Sequence, residues 1–556
     1  MVNRRSRQIP KKDWTWIVCL LILVVVILLS VKTTWTMTEH FLDGDASSDL
    51  LLAWRLSKSG ELMTYDWIYS TEIHVLHTQV IQALFFHFFS DWHMVRFLSA
   101  LVMQGILLLS CLYFCRAAGA NRERSLLTGA LLLMPVSVAY GRIVLYHGMY
   151  MPAVTESFLM AGLFLSYEKG DEDGYLRNGL RLLLMAAISF LTGLTGIRQV
   201  VCTQFPIVLL LFLRLYREGN RDGILMAVQR NSRGIAAAIL LFLAFLPGYY
   251  INSRVFTRTY DFMHYSVRFR MPEVAELKSL FYGILHNLGY RTSPQLFSLA
   301  GIMTALGLCT GVFFLASAVR SFTERELPAA MGNCFAELFV FCSLLSLCGV
   351  ALFTTVHDID FTRHLLPAMS FSAPFFVFGF MEEDSAWHPP MQRVAAFICT
   401  VFLFCNGLFN MGYFNGLSTV FNQKYEGLYD RAGLVSDLSG AVAAIREYGA
   451  DTGYSYRWEC NTVTEMTDGE LTVVPIEMST DHSSIHFDKW LTFWSYFELE
   501  PERAFLLMPS YMATYFEKIP ELFPYGELLY ADALYTVYGF GNGTLLRSYF
   551  SEHTSW

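Results

Sequence analysis

The chain has 556 residues, 54% of them hydrophobic and 16% charged, whereas a soluble domain carries about a quarter charged residues. With a mean hydropathy of +0.39, that composition excludes one large soluble domain and excludes disorder. The net charge of −8 is unevenly placed: from residue 415 onward 8 basic residues stand against 20 acidic ones, leaving the tail at −12 and the first 414 residues at +4. An acidic balance gives no reason to expect a nucleic-acid partner. Of the eleven cysteines, only Cys460 lies in the tail, so no disulfide is expected there.

In chain order, residues 1–13 form a basic leader with Arg4, Arg5, Arg7, Lys11 and Lys12. Eleven apolar stretches follow, each a candidate for crossing a bilayer core about 30 Å thick. They begin with Trp14 to Val31, read as a retained span, and continue with Met94 to Phe114, Leu126 to Tyr140, Met151 to Tyr167 and Leu180 to Thr195. The rest are Val200 to Leu215, Gly234 to Tyr250, Ser298 to Val319, Cys334 to Val356, Leu365 to Met381 and Val394 to Tyr413. Basic residues cluster in alternate loops: Arg116, Arg122 and Arg124; then Lys169, Arg177 and Arg181; then Arg214, Arg217, Arg221, Arg230 and Arg233. By the positive-inside rule these loops and the N-terminus are cytoplasmic, and an odd number of spans sends the tail outside. The expected fold is mainly α. It is a polytopic bundle of about 11 spans over 14–414, N-in and C-out in the plasma membrane, with a small α+β extracytoplasmic domain over 415–556.

Three outer segments are too polar or too long to be simple connectors. The loop 36–93 carries two helical patterns, Ser48 to Ser57 and Thr71 to Phe89, the second with Ile73, Leu76, Val80, Leu84 and Phe88 at helical spacing. The loop 251–297 holds Arg254, Arg258, Arg268, Arg270, Lys278 and Arg291 against the orientation rule. In the tail, Leu471 to Ile476 and Tyr535 to Phe540 read as strands and Leu438 to Tyr448 as a helix.

Signatures of soluble enzymes are missing: there is no GxxxxGK[ST], HExxH, GxSxG or paired CxxC. What stands out is Phe41-Leu-Asp43-Gly-Asp45-Ala-Ser-Ser-Asp49 directly after the first span. A carboxylate at that surface can serve as a general base on an acceptor hydroxyl, or Asp43 and Asp45 can share a divalent cation as cofactor. The plain alternative is a solvated turn with Ser47 or Ser48 capping the next helix. The same loop carries Trp67-Ile-Tyr-Ser-Thr-Glu72-Ile-His74-Val-Leu-His77-Thr-Gln79. Trp67, Glu72 and His77 therefore become candidate substrate-binding residues, aromatic rings being what a sugar face packs against.

One span, a long outer loop that opens on an acidic motif and holds two surface helices, a many-spanning bundle and an outer domain together resemble the GT-C membrane glycosyltransferases. The likeness is nearest to the protein O-mannosyltransferase and aminoarabinose-transferase branch and its uncharacterised bacterial relatives. At residue level it is confined to Asp43 to Gln79. The family's Asp-Glu pair is replaced here by Asp-x-Asp, and its Pro-Pro-Leu stretch by Ser70 to Leu76. The resemblance implies transfer of a sugar from a polyprenyl-phosphate donor to an acceptor (glycan, lipid or protein) at the outer face. It makes Asp45 the best match for the catalytic base and Asp43 the second. A lipid phosphate leaving group calls for guanidinium groups at the membrane surface, and Arg142, Arg198, Arg268, Arg270 and Arg363 lie near outer span ends or in outer loops. His357-Asp-Ile-Asp-Phe-Thr-Arg363-His364 forms a polar cap in which a metal is the alternative to phosphate binding by Arg363. Glu156, near Tyr150 and His147, either lines an acceptor cavity or is paired inside the bundle. A transporter or flippase of lipid-linked saccharide, or a non-catalytic scaffold, remains the alternative. Convergence of Asp45, Arg198 and Arg363 on one cavity is the geometric test.

Overall fold

The computed structural model describes residues 14–70, 75, 77–170, 174–262, 268–291, 297–323, 332–353, 361–381, 390–416 and 435–555. The basic leader, Glu72, His74 and the segment 354–360 with His357, Asp358 and Asp360 lie outside the described residues.

The principal helices of the first part are α1 (Thr15–His40), α2 (Gly44–Ser59), α3 (Thr78–Phe86), α4 (Trp92–Ala117), α5 (Arg122–Leu132), α6 (Met151–Glu168), α7 (Gly174–Thr195), α8 (Phe205–Asp222) and α9 (Ser232–Tyr250). They continue with α10 (Val274–Asn287), α11 (Leu299–Thr323), α12 (Gly332–Phe353), α13 (Ser372–Met381) and α14 (Pro390–Phe414). Every one of the eleven apolar stretches contains helix. Among the described residues seven helical runs, at α1, α4, α7, α8, α9, α11 and α14, are long and apolar enough to cross a membrane. An eighth candidate is broken: Tyr140–Tyr146 and α6 meet at 74°, across a turn in which Gly148 takes φ +76. Shorter apolar helical runs cover Leu338–Val350 and Leu366–Met381. The chain is thus built as an integral membrane protein.

Aromatic packing fills the middle of the bundle. Phe158 stacks on Phe371 at 4.1 Å, and Phe114 meets both edge-on. Inside a bilayer such close packing, rather than escape from water, holds helices together. Gly162 belongs to the same logic, because a Cβ there would come within 2.8 Å of the Tyr113 ring.

The tail forms α15 (Val435–Tyr448), β1 (Thr452–Tyr456), α16 (Arg457–Met466), β2 (Thr472–Met478), β3 (Ile485–Phe487), β4 (Ala504–Pro509), β5 (Glu527–Ala531), β6 (Tyr535–Phe540) and α17 (Gly543–His553). The six strands lie in the order β3-β2-β1-β4-β6-β5. β1 runs parallel to β2 and β4, and the other pairings are antiparallel. Alternate residues feed two cores. Val474, Ile476, Leu506 and Met508 pack with Phe516 and Phe550, while Val473, Phe505 and Leu507 pack with Leu438, Ile445 and Val463 of α15 and α16. Helices on both faces explain why these strands read as near-continuous apolar runs.

The sheet is bolted to the loop after α1. Ile68 is part of the sheet's own core, its N–H donates to Thr492 O at 2.8 Å, and Trp67 pairs with Phe493 as an antiparallel bridge. The Asp66 carboxylate accepts from the N–H and hydroxyl of Ser495 at 2.8 and 2.6 Å. On the other flank Asn461 Nδ2 donates to Ser48 Oγ at 2.7 Å, and Arg96 of α4 forms a two-bond ion pair with Glu465 of α16, each side chain 3% exposed.

Candidate active site

Asp43 begins the site because it begins α2. Its carboxylate caps the helix, accepting from the N–H of Asp45 at 2.9 Å and of Ala46 at 3.4 Å, as Asp does at an N-cap. The same carboxylate receives Arg142 at 2.8 Å and faces His147 Nδ1 at 3.9 Å. His147 is oriented by donating from Nε2 to the Phe41 carbonyl at 2.9 Å. Arg142 sits on the wide helical turn Tyr140–Tyr146, a distortion that recurs at functional positions. Burial would push the Asp43 carboxyl up, but Arg142, His147 and the two N–H groups outweigh it and hold it below the ordinary value. Asp43 is a fixed negative charge.

Asp45 is its opposite. It lies in the first turn of α2, and burial and repulsion from Asp43 and Asp49, incompletely offset by Arg363 and Arg457, push it up to about 7. Asp49 follows one turn later on the same face, with burial raising it against the pull of His77 and Arg96. It accepts from the Thr78 hydroxyl at 3.4 Å, and His77 Nδ1 lies 3.8 Å away. His77 donates from Nε2 to the Met149 carbonyl at 2.8 Å. Gly44 lets α2 reach this position: a Cβ would sit 3.0 Å from the Trp458 Cα and carbonyl, so the acid turn touches the start of α16 backbone to backbone.

Around the acids stand four arginines. Arg142 is committed to Asp43. Arg457 pairs with Asp488 at 2.9 Å and Glu477 at 3.2 Å, and burial, partly relieved by Arg457, raises the Asp488 carboxyl to about 6. Arg363 acts on Asp45 and, together with Arg198, on His364, whose imidazole is driven down to about 3 by burial and then by the two guanidinium groups. Arg198 lies over the Tyr150 ring at 4.8 Å and lines an open cleft shared with Glu156, Gln199 and His77. Asp45, Arg363, His364 and Arg198 therefore form one electrostatic chain. Of these four only Arg198 lines the cleft, which it shares with His77, the histidine 3.8 Å from Asp49.

Other candidates fall elsewhere. Trp67 is 1% exposed, with its ring 4.7 Å from that of Phe493, so its packing role is to join loop and sheet. Arg270 pairs with Glu276 of α10, and Arg268 is exposed two residues before it. Among the described residues no group of three or more His, Cys, Asp or Glu is arranged to hold a metal ion. A divalent cation held by Asp43 and Asp45 would share the Asp43 carboxylate with Arg142. The sequence reading did not single out Arg96, Arg457, Asn461 or Glu465. Arg96 carries a legible signal, a charge one turn into an apolar span; the tail residues carry none.

No protein-family model and no curated protein sequence matches the chain. Among solved structures it is similar to the Archaeoglobus fulgidus oligosaccharyltransferase complexed with Zn and sulfate, with 11% identity and a TM-score of 0.49 over 94% of this chain and 73% of that one. It is also similar to archaeal oligosaccharyltransferase AglB from Archaeoglobus fulgidus in complex with an inhibitory peptide and a dolichol-phosphate, at 11% identity, TM-score 0.47, and coverage of 93% and 73%.

Proposed function

We propose that the protein is a membrane glycosyltransferase of the GT-C kind that moves a sugar from a polyprenyl-phosphate donor to an acceptor hydroxyl at the outer face of the membrane. Asp45 acts as the general base. The reading rests on one observation: a carboxyl poised at about 7 stands in the field of Arg363, which shares His364 with the cleft-lining Arg198. A base is most effective when its pKa lies near the working pH.

In this mechanism Asp45 takes the acceptor proton as the acceptor oxygen bonds to the anomeric carbon. The bond from that carbon to the phosphate oxygen breaks, and its electron pair leaves on the lipid phosphate. Arg363 and Arg198 meet the charge that develops there, and preorganised cations facing a leaving group are the largest single source of such rate enhancement. Direct displacement inverts the anomeric centre. Asp43, locked to Arg142, is a positioning residue that fixes the α2 terminus and raises Asp45 by repulsion. His364, kept neutral between two guanidinium groups, adds no competing charge.

Orientation is supported by the basic turns. Arg124 donates to Met381 O at 2.8 Å and Lys169 to Ala117 O at 2.6 Å, which ties the basic ends of α4, α5, α6 and α13 to one face. That face is assigned to the cytoplasm, leaving the sheet domain and the acid turn outside. The test is transfer of radiolabelled sugar from a polyprenyl-phosphate donor by purified protein in lipid nanodiscs, with Asp45→Asn as the control. Loss of transfer with donor binding retained supports the assignment, and an unchanged rate removes Asp45 from the chemistry.

A further inference from the structure

The cleft beside the acid turn holds a group that this mechanism leaves unused. Its enclosed volume is small, about 40 Å³, and it is open to solvent, so it cradles one edge of a ligand that extends out of its mouth rather than enclosing it. Its walls come from the first turns of α6 and from residues 195–199, between α7 and α8. The polar side chains there differ in one respect. Gln199 donates from its amide to the Ala153 carbonyl and to Thr203 Oγ1, both at 3.0 Å; His77 donates to Met149 O; Arg198 lies on Tyr150. Glu156 has no hydrogen-bond or ion-pair partner among the described residues, although it lines the cleft together with Pro152, Ala153 and the 195–199 turn.

Glu156 is half-buried in the wall of an open cleft, and without protein donors its acceptor sites face whatever fills the cleft. A carboxyl group accepts hydrogen bonds and, when protonated, donates one, so its natural complement is a set of neighbouring hydroxyl groups. An adjacent aromatic ring and guanidinium complete a surface suited to a polyhydroxylated ring attached to an anion. His77 lines this cleft and its Nδ1 lies 3.8 Å from Asp49, so the cleft and the acid turn share a wall residue.

We propose that this cleft is the subsite for the transferred sugar, with Glu156 accepting hydrogen bonds from its ring hydroxyls and Arg198 marking the phosphate end. The proposal rests on the glycosyl-transfer reading above and names its substrate-recognition residue. It places the specificity for the sugar on α6, away from Asp45, so sugar recognition and proton abstraction are separable.

The test uses binding rather than turnover. Full-length protein in nanodiscs is titrated by calorimetry with farnesyl-phosphate mannose, glucose, galactose and N-acetylglucosamine, and with farnesyl phosphate as the sugar-free probe. For the sugar bound best, Glu156→Ala and Glu156→Gln are each expected to weaken binding several-fold, up to about tenfold, the loss of one or two hydrogen bonds. Binding of farnesyl phosphate stays unchanged, which also reports that the variants are folded. Arg198→Gln weakens both classes of probe. The proposal is overturned if the sugar-bearing probe binds the Glu156 variants as it binds wild type, or if both classes weaken equally. In either case a wild-type protein that still transfers sugar keeps the glycosyl-transfer reading intact; wild type that neither transfers sugar nor prefers any glycosyl lipid to farnesyl phosphate sinks both.

Discussion

Two ion pairs join the apolar bundle to the material on its sheet side, and they are built differently. Arg96 and Glu465 close on each other through two parallel bonds, both side chains 3% exposed; neither charge has a face left for anything else. Arg142 and Asp43 meet through one nitrogen, and Asp43, 20% exposed, also caps α2 and faces His147. The first pair is a fastener between α4 and α16. The second sets the charge around Asp45. A buried charge that is fully paired holds a structure together, whereas a fixed charge beside an incompletely compensated one tunes a proton.

The largest effect that would test this contrast is on chemistry. Asp45→Asn is expected to reduce sugar transfer by about 10²–10⁴, the usual contribution of a general base, while the protein remains folded. The same substitution also has a signed effect on stability. A carboxyl raised to about 7 from an ordinary 3.8 contributes stability that is complete below 3.8 and disappears as pH rises through 7. Asp45→Asn should therefore raise the melting temperature at pH 8 and leave it unaltered below pH 4, as read by differential scanning fluorimetry.

Next comes the fastener. Glu465→Ala strands Arg96 in an apolar setting and should cost about 3–5 kcal/mol, seen as earlier unfolding and faster proteolysis of the sheet domain. Arg96→Met with Glu465→Leu should recover most of that loss, because two apolar groups leave no unpaired charge. Failure of the double variant to recover would give this pair a role beyond fastening.

Asp43→Asn sharpens the comparison from the other side. Asparagine still caps the helix, so the change removes charge and little else. On the proposed mechanism the acid limb of the pH–rate profile is set near 7 by Asp45 and should move to lower pH once the repulsion from Asp43 is gone. A limb that stays in place would mean that Asp45 does not set it. The smallest effect expected is that of Asn461→Ala, which loses the bond to Ser48 and should cost about 1 kcal/mol with unchanged transfer chemistry.

Much of the architecture is written in local pattern. Apolar runs of span length, basic turns between them and an acidic tail are short-range features, and each of the eleven runs contains helix in the structure. The helix after the acid motif was legible over Ser48 to Ser57, but its start was not: Ser47 or Ser48 was the expected cap, whereas α2 begins at Gly44 with Asp43 as its cap. The strands Leu471 to Ile476 and Tyr535 to Phe540 were visible as β2 and β6. β1 was not, since Thr452–Tyr456 carries a glycine and a serine and owes its place to neighbours on both sides.

What only the tertiary structure decided is the electrostatic company each charge keeps. Asp43 and Arg142 are 99 residues apart, Arg96 and Glu465 are 369 apart, and Asn461 reaches Ser48 across 413. No periodicity encodes such pairings. They arise because α2 is held against α16 at a glycine contact while α4 and the turn at 140–146 pack beneath it. The sequence supplied three similar aspartates. Packing made one of them a fixed anion and another a group that titrates near neutrality, because a carboxyl's proton affinity depends on how much water it loses and which charges replace that water.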